Sequence, residues 1–160
     1  MTKAARKGET LTIHATAVVV AESGILIRGE SGRGKCALAL ALIELGAERG
    51  CFARLIGDDR TEIRVAGGRI LMSGAPNVTG LIERRGFGLV RIDAEPAAAA
   101  HLVVDLLAAG AGLDRLPEKA AESCELAGLR LPRIAFDGSS TTWERARAIL
   151  FAISERATGL

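Results

Sequence analysis

Apolar and polar positions change period repeatedly over short distances along this chain, so short strands and helices are expected to alternate. Residues 11–14, 17–21 and 25–28 read as β-strands, the last two separated by the turn Glu22-Ser23-Gly24. After a glycine-rich break, residues 35–45 carry Ala and Leu almost all round, which predicts a buried helix ended by Gly46. Residues 52–56 read as a strand running into Gly57-Asp58-Asp59. Residues 62–65 and 69–72 flank Ala66-Gly67-Gly68, a hairpin signal. Residues 78–85 are expected as a short helix closed by Gly86, followed by strands at 89–92 and 102–106. The mixture of Gly, Pro and charge over 108–128 supports no assignment. A last strand at 133–136 leads into a helix over 142–156, with Thr141 or Thr142 as N-cap. The fold class is therefore α/β, a mixed β-sheet with flanking helices in a single domain over residues 1–160.

Composition narrows the functional classes. The 160 residues are 49% hydrophobic but only 3% aromatic, so the core must be built from Ala, Val, Leu and Ile. A net charge of +2 from 21 basic and 19 acidic residues argues against a nucleic-acid partner. With four Phe, one Trp and no Tyr, a series of stacking platforms for single strands is lacking as well. Cys36, Cys51 and Cys124 form no CxxC pair and are odd in number, which points to reduced thiols and a cytoplasmic location. No apolar run reaches membrane-spanning length, and residues 1–10 lack a signal-peptide core.

The candidate chemistry begins at Gly29-Glu30-Ser31-Gly32-Arg33-Gly34-Lys35-Cys36, which fits the phosphate-binding P-loop pattern G-x-x-x-x-G-K. A β-rich run precedes it and a helix follows. Glycines let successive backbone N–H groups curl around phosphate oxygens, the helix adds its positive dipole end, and Lys35 supplies a point charge. Cys36 stands where Ser or Thr is usual, and a thiol is a poor Mg²⁺ ligand. Three accounts stand: metal held by carboxylates and water alone, a substitution (natural or engineered) that weakens activity, or nucleotide binding without turnover. A redox role, with the helix N-terminus lowering the thiol's pKa, ranks last.

Asp58-Asp59 follow a predicted strand, where a Walker-B-like acid belongs. Successive carboxylates on an extended backbone point apart, so one can hold metal while the other faces a nucleophile. His14 ends a strand ahead of the loop and is placed to hydrogen-bond Asp58. His101, in an apolar run, reads as structural. In Glu83-Arg84-Arg85-Gly86-Phe87-Gly88, a Glu offers a second metal ligand and an Arg can neutralise a transferring phosphoryl group, although a solvated helix end would look similar.

In combination these residues resemble the catalytic domain of bacterial HPr kinase/phosphorylase. The resemblance is carried by Ile13-His14, by the 29–35 loop, by Ile56-Gly57-Asp58-Asp59, by Gly74-Ala75-Pro76, and by Leu81-Ile82-Glu83-Arg84-Arg85-Gly86-Phe87-Gly88-Leu89, with fainter echoes at Asp114-Arg115-Leu116 and Leu131-Pro132-Arg133-Ile134. It implies a short form lacking the family's N-terminal domain. It further implies ATP- and Mg²⁺-dependent phosphorylation of a serine on HPr or an HPr-like phosphocarrier protein of a phosphotransferase system, a reverse phosphorylase reaction, and hexamers. By position, Asp58 would be the general base assisted by His14, the 29–36 loop would bind phosphates, Asp59 and Glu83 would lie near the metal, and Arg85 near the phosphoryl group. This sequence departs from the family pattern at Cys36, at Ala15 after the His, at Arg84, and at Asp137-Gly138-Ser139-Ser140 ahead of the last helix. A nucleotide-sensing regulatory module with little or no turnover is the alternative, and a small-metabolite kinase a third reading.

Overall fold

The structure is a computed structural model, and it describes residues 8–110 and 122–158. Eleven strands and two helices occur among them. Strands β2 (Ala15–Val20), β3 (Ser23–Gly29) and β9 (Ala97–Leu106) lie at the centre of the main sheet, with β4 (Ala53–Gly57) at the end beyond β2. Beyond β9 lie β6 (Arg69–Gly74), β5 (Thr61–Ala66) and β1 (Thr10–Ile13), giving the order β1-β5-β6-β9-β3-β2-β4. The hairpin β10 (Ser123–Leu126) and β11 (Leu129–Phe136) joins the same sheet through β11, which runs parallel to β9. A separate hairpin pairs β7 (Leu81–Arg84) with β8 (Gly88–Arg91). Helices α1 (Lys35–Glu48) and α2 (Thr142–Ala157) pack against each other and against one sheet face.

Two apolar layers explain the strand sequences. Val18, Val20, Ile25, Ile27, Leu102 and Val104 face the helices, where they meet Leu38, Leu42, Ile149 and Leu150. Alternate positions Ala15, Ala17, Val19, Leu26 and Val103 face the other way, into a second cluster with Ile63, Ile70, Met72 and Leu126. Apolar residues on both faces are what strands covered on both sides require. One close approach fixes Gly24 as glycine: a Cβ there would lie 2.0 Å from the Ala99 carbonyl oxygen of β9.

Strand direction positions the site. β2 is antiparallel to both β3 and β4, so the start of β2 lies beside the ends of its two neighbours. β9 is parallel to β3, and β11 to β9. The loop after β3, the Asp pair after β4, the residues ahead of β2 and the segment leading from β11 into α2 therefore share one sheet edge.

Several expectations need correction. Residues 78–85 are not a helix: Leu81–Arg84 is a strand hydrogen-bonded to Gly88–Arg91. The positive φ angles of Gly80, Gly86 and Gly88 punctuate that hairpin. Gly46 does not end α1, which continues to Glu48; Gly46 is buried where a Cβ would lie 3.1 Å from Ala53 and Val20, and Gly50 takes the left-handed backbone past the end. The strands at β9 and β11 begin earlier than the pattern indicated, and β10 lies inside the unassigned 108–128 stretch. Asp114, Arg115 and Leu116 fall outside the described residues. Of the two N-cap candidates, Thr141 caps α2, in a capping box with Glu144.

Candidate active site

The 29–36 loop leaves β3 and enters α1 through Gly34, the N-cap of the helix. Gly34 offers no side-chain acceptor, and the first turn of α1 carries no acidic residue. The first-turn amides are thus left for an outside anion. Gly32 and Gly34 adopt φ of 82° and 93°, the left-handed backbone that curls the loop. A Cβ on either would meet nothing within 4 Å, so glycine answers the backbone here and the space above stays open. These features fit a phosphate group.

Lys35 is 4% exposed. Its Nζ donates to the Gly29 and Glu30 carbonyls at 2.8 and 3.3 Å, lies 3.3 Å from His14 Nε2 and 3.8 Å from Asp59 Oδ1. The ammonium is held at the loop by oxygens it can keep while facing an added anion.

The two carboxylates diverge, as expected, but through a turn and not an extended backbone. Asp59 adopts φ of 60°, which Asp tolerates, and the Arg60 amide donates back to the Asp58 carbonyl. Asp58 Oδ1 accepts from Cys36 Sγ at 2.8 Å and from Thr16 Oγ1 at 3.0 Å, and its Oδ2 accepts from the Glu83 amide at 3.3 Å. Asp59 faces away, 3.4 Å from His14 Nε2. The expected His14–Asp58 contact is therefore corrected: His14 pairs with Asp59 and Lys35, because Asp58 is turned toward α1 and the hairpin. The Asp59 amide donates to Thr16 Oγ1, so one buried hydroxyl ties both acids to β2. Thr16 escaped the sequence reading; its signal was a lone polar residue in the apolar run after His14.

Burial, the hydrogen bond to Asp58 and the negative charge of both acids push the Cys36 thiol up to about 12. Lys35 does not offset them, and the direction runs opposite to the lowered pKa on which the redox reading was built. All three cysteines are free.

Glu83 and Arg85 are exposed and line a cleft of about 660 Å³ together with Asp58, Asp59 and the loop. The neighbouring Arg84 lines the same cleft but is paired with Glu44 of α1 at 2.9 Å, a contact that ties the hairpin to the helix. His14, Gly29 and Glu30 are not among the residues lining the cleft, to which Lys35 joins them. His101 has the structural role expected, its Nδ1 accepting from the Gly24 amide. Among the described residues no group of three or more His, Cys, Asp or Glu side chains forms a ready metal cage. Asp59 and Glu83 still offer the hard oxygens that suit an Mg²⁺ ion completing its shell with phosphate and water.

A further, partly buried cluster went unread. Arg28, directly before the loop, donates from Nε and Nη2 to Asp105 of β9 at 2.7 and 2.8 Å, and Arg133 of β11 donates to the same carboxylate at 2.5 Å. Burial alone would raise the Asp105 carboxyl, but the two guanidinium groups hold it below its ordinary value.

Comparison with known proteins bears on this arrangement. The chain is similar to HPr kinase/phosphorylase from Exiguobacterium sp. (37% identical over 81 residues; 50% of this chain, 24% of that protein). It is also similar to those from Clostridium botulinum strain Eklund 17B (40% over 80 residues; 50% and 24%) and Lachnoclostridium phytofermentans (41% over 83 residues; 51% and 25%). These matched segments span about a quarter of each relative. The fold is similar to the structure of the Hpr(Ser) kinase/phosphatase from Coxiella burnetii, with a TM-score of 0.72 at 22% identity, covering 92% of this chain and 99% of that one. The family model described as HPr Serine kinase C-terminal domain matches residues 6–134, and with that span and those relatives the chain belongs to this family.

Proposed function

We propose that the chain is an ATP- and Mg²⁺-dependent serine kinase acting on HPr or an HPr-like phosphocarrier protein of a phosphotransferase system, in the cytoplasm. The observation that carries this is the convergence at one sheet edge of an uncapped helix N-terminus, Lys35 and the diverging Asp58 and Asp59. Phosphoryl transfer needs little covalent help, so positioning and charge neutralisation are what the chain must supply. The first-turn amides of α1 and Lys35 hold the phosphates. Asp58, oriented by Thr16 and the Glu83 amide, takes the proton of the acceptor serine hydroxyl. Asp59 and Glu83 are the ligands offered to Mg²⁺, whose contribution when bound is neutralising phosphate charge. His14 acts through Asp59 and Lys35, and Arg85 reaches the transferred group from the hairpin. The reverse reaction, in which inorganic phosphate attacks phosphoserine and leaves as pyrophosphate while the serine regains its proton, uses the same groups.

The test is incubation with labelled ATP, Mg²⁺ and HPr, followed by identification of the modified residue. Asp58→Asn should cut serine labelling by at least about a hundredfold, the range for loss of a general base. Labelling that survives this substitution would remove Asp58 from the role.

One contact favours a second reading, a nucleotide-sensing module with little turnover: the Cys36 thiol occupies Asp58 Oδ1 at 2.8 Å. Cys36→Ser separates the two. A large rise in transfer marks an enzyme held back by the thiol; tight nucleotide binding without transfer in either form marks a sensor.

A further inference from the structure

The groups lining the cleft divide by chemistry. The turn after β4 and the β7–β8 hairpin contribute charge, whereas α1 contributes Ala37, Leu40 and Ala41, and α2 contributes Thr142 and Trp143. Trp143 is the chain's single tryptophan. It continues the buried stripe of α2 (Ala146, Leu150, Ile153) one step toward the helix N-terminus, yet it is 43% exposed where those residues are at most 8%. The stripe has run past the sheet edge, and its last member overhangs the cleft. Among the described residues it is the one aromatic side chain in the cleft wall. Phe52 lies under the Arg54 guanidinium, Phe136 packs into the core, and Phe87 and Phe151 are exposed outside the cleft.

Its backbone is fixed before any ligand arrives. The Thr141 hydroxyl accepts from the Glu144 amide, the Glu144 carboxylate accepts from the Thr141 amide, and Arg145 donates to Ser140, so the first turn of α2 is locked on both sides of Trp143. An amphipathic ring, carried on a fixed backbone and half open beside an apolar wall, lies in a cleft whose volume suits a nucleotide. Phosphates held at the start of α1 leave a nucleoside to extend along α1 toward α2.

We infer that Trp143 is the stacking platform for the nucleobase, so that the cleft holds a nucleoside triphosphate more tightly than a bare polyphosphate gripped by the same loop. This rests on the reading of the 29–36 loop as the phosphate grip. Base–aromatic stacking needs only a π-face, so the platform secures affinity for a base of any kind.

The test compares ATP with inorganic tripolyphosphate, each with Mg²⁺, by calorimetry and by emission of the single tryptophan. ATP should quench that emission and tripolyphosphate should not. Trp143→Ala should weaken ATP roughly ten- to a hundredfold and leave tripolyphosphate unchanged, and Trp143→Phe should restore most of the loss. If both ligands bind and Trp143→Ala alters neither, or weakens both equally, the stacking role is overturned while the phosphate grip stands. If neither binds the unaltered protein, the grip and the platform fall together.

Discussion

At Cys36 a thiol stands in the first turn of α1 and donates to Asp58. The thiol is pushed up to about 12 by burial and by Asp58 and Asp59, so it is a neutral donor at physiological pH. An alkylating reagent at pH 7.5 should therefore modify exposed Cys51 and spare Cys36, as peptide mass spectrometry will read; equal labelling of the two would mean a thiolate at Cys36. The sign of the linked stability follows from the same shift. A free thiol titrates near about 8.5. The stability this group contributes is whole below that value and is lost as pH rises toward about 12. Cys36→Ser should remove this alkaline loss from the pH dependence of unfolding. The P-loop pattern, the Asp pair and Cys36 were all legible in the sequence because each is a local string. Thr16 was not, since its hydroxyl acquires meaning only when β2 pairs with β4 and brings it under residues 58 and 59.

Between elements, the Arg28–Asp105–Arg133 cluster clamps β3, β9 and β11 just below the loop. The Asp105 side chain is 12% exposed and its partners 28% and 21%, so the clamp is mostly but not wholly desolvated. Asp105→Asn should destabilise the fold by about 2–3 kcal/mol, somewhat under the cost of breaking a fully buried pair. Because folding lowers this carboxyl's pKa, its contribution is complete above the ordinary Asp range and disappears as pH falls through the lowered value. Denaturant unfolding of both forms at a series of pH values should show the gap closing in acid. Thr141→Ala, which removes half of the capping box, should cost about 1 kcal/mol in the same measurement. Legibility at this scale was uneven. The β5–β6 hairpin was readable from Gly67-Gly68, whose positive φ values suit a tight turn. The β7–β8 hairpin was not, because Glu83-Arg84-Arg85 has helix-favouring composition and only pairing with 88–91 makes Leu81–Arg84 a strand.

For the molecule as a whole, the α/β class with a mixed sheet followed from interleaved strands and helices, and the structure has that architecture. The order of strands did not follow, since it depends on pairings between distant segments, and with it went any view of Trp143 beside the loop. Because the 29–36 loop is continuous with β3 and α1, a ligand gripped there should stabilise the entire fold. At a concentration a hundred times its dissociation constant, Mg²⁺-ATP should add about 2.7 kcal/mol, read as a rise in Tm that pyrophosphate reproduces in part. A Tm indifferent to both would detach the loop from nucleotide binding.

β9 borders β3 along one side and divides its other side between β6 and β11. The residues bracing the loop are thus far apart in synthesis: Arg28 waits for Asp105, 77 positions later. A nascent chain that has emerged only through the β5–β6 hairpin displays the full glycine-rich signature without β9 and β11 to brace it. Competence to grip a ligand should then arrive late and all at once, with the slow closure that such distant pairings impose.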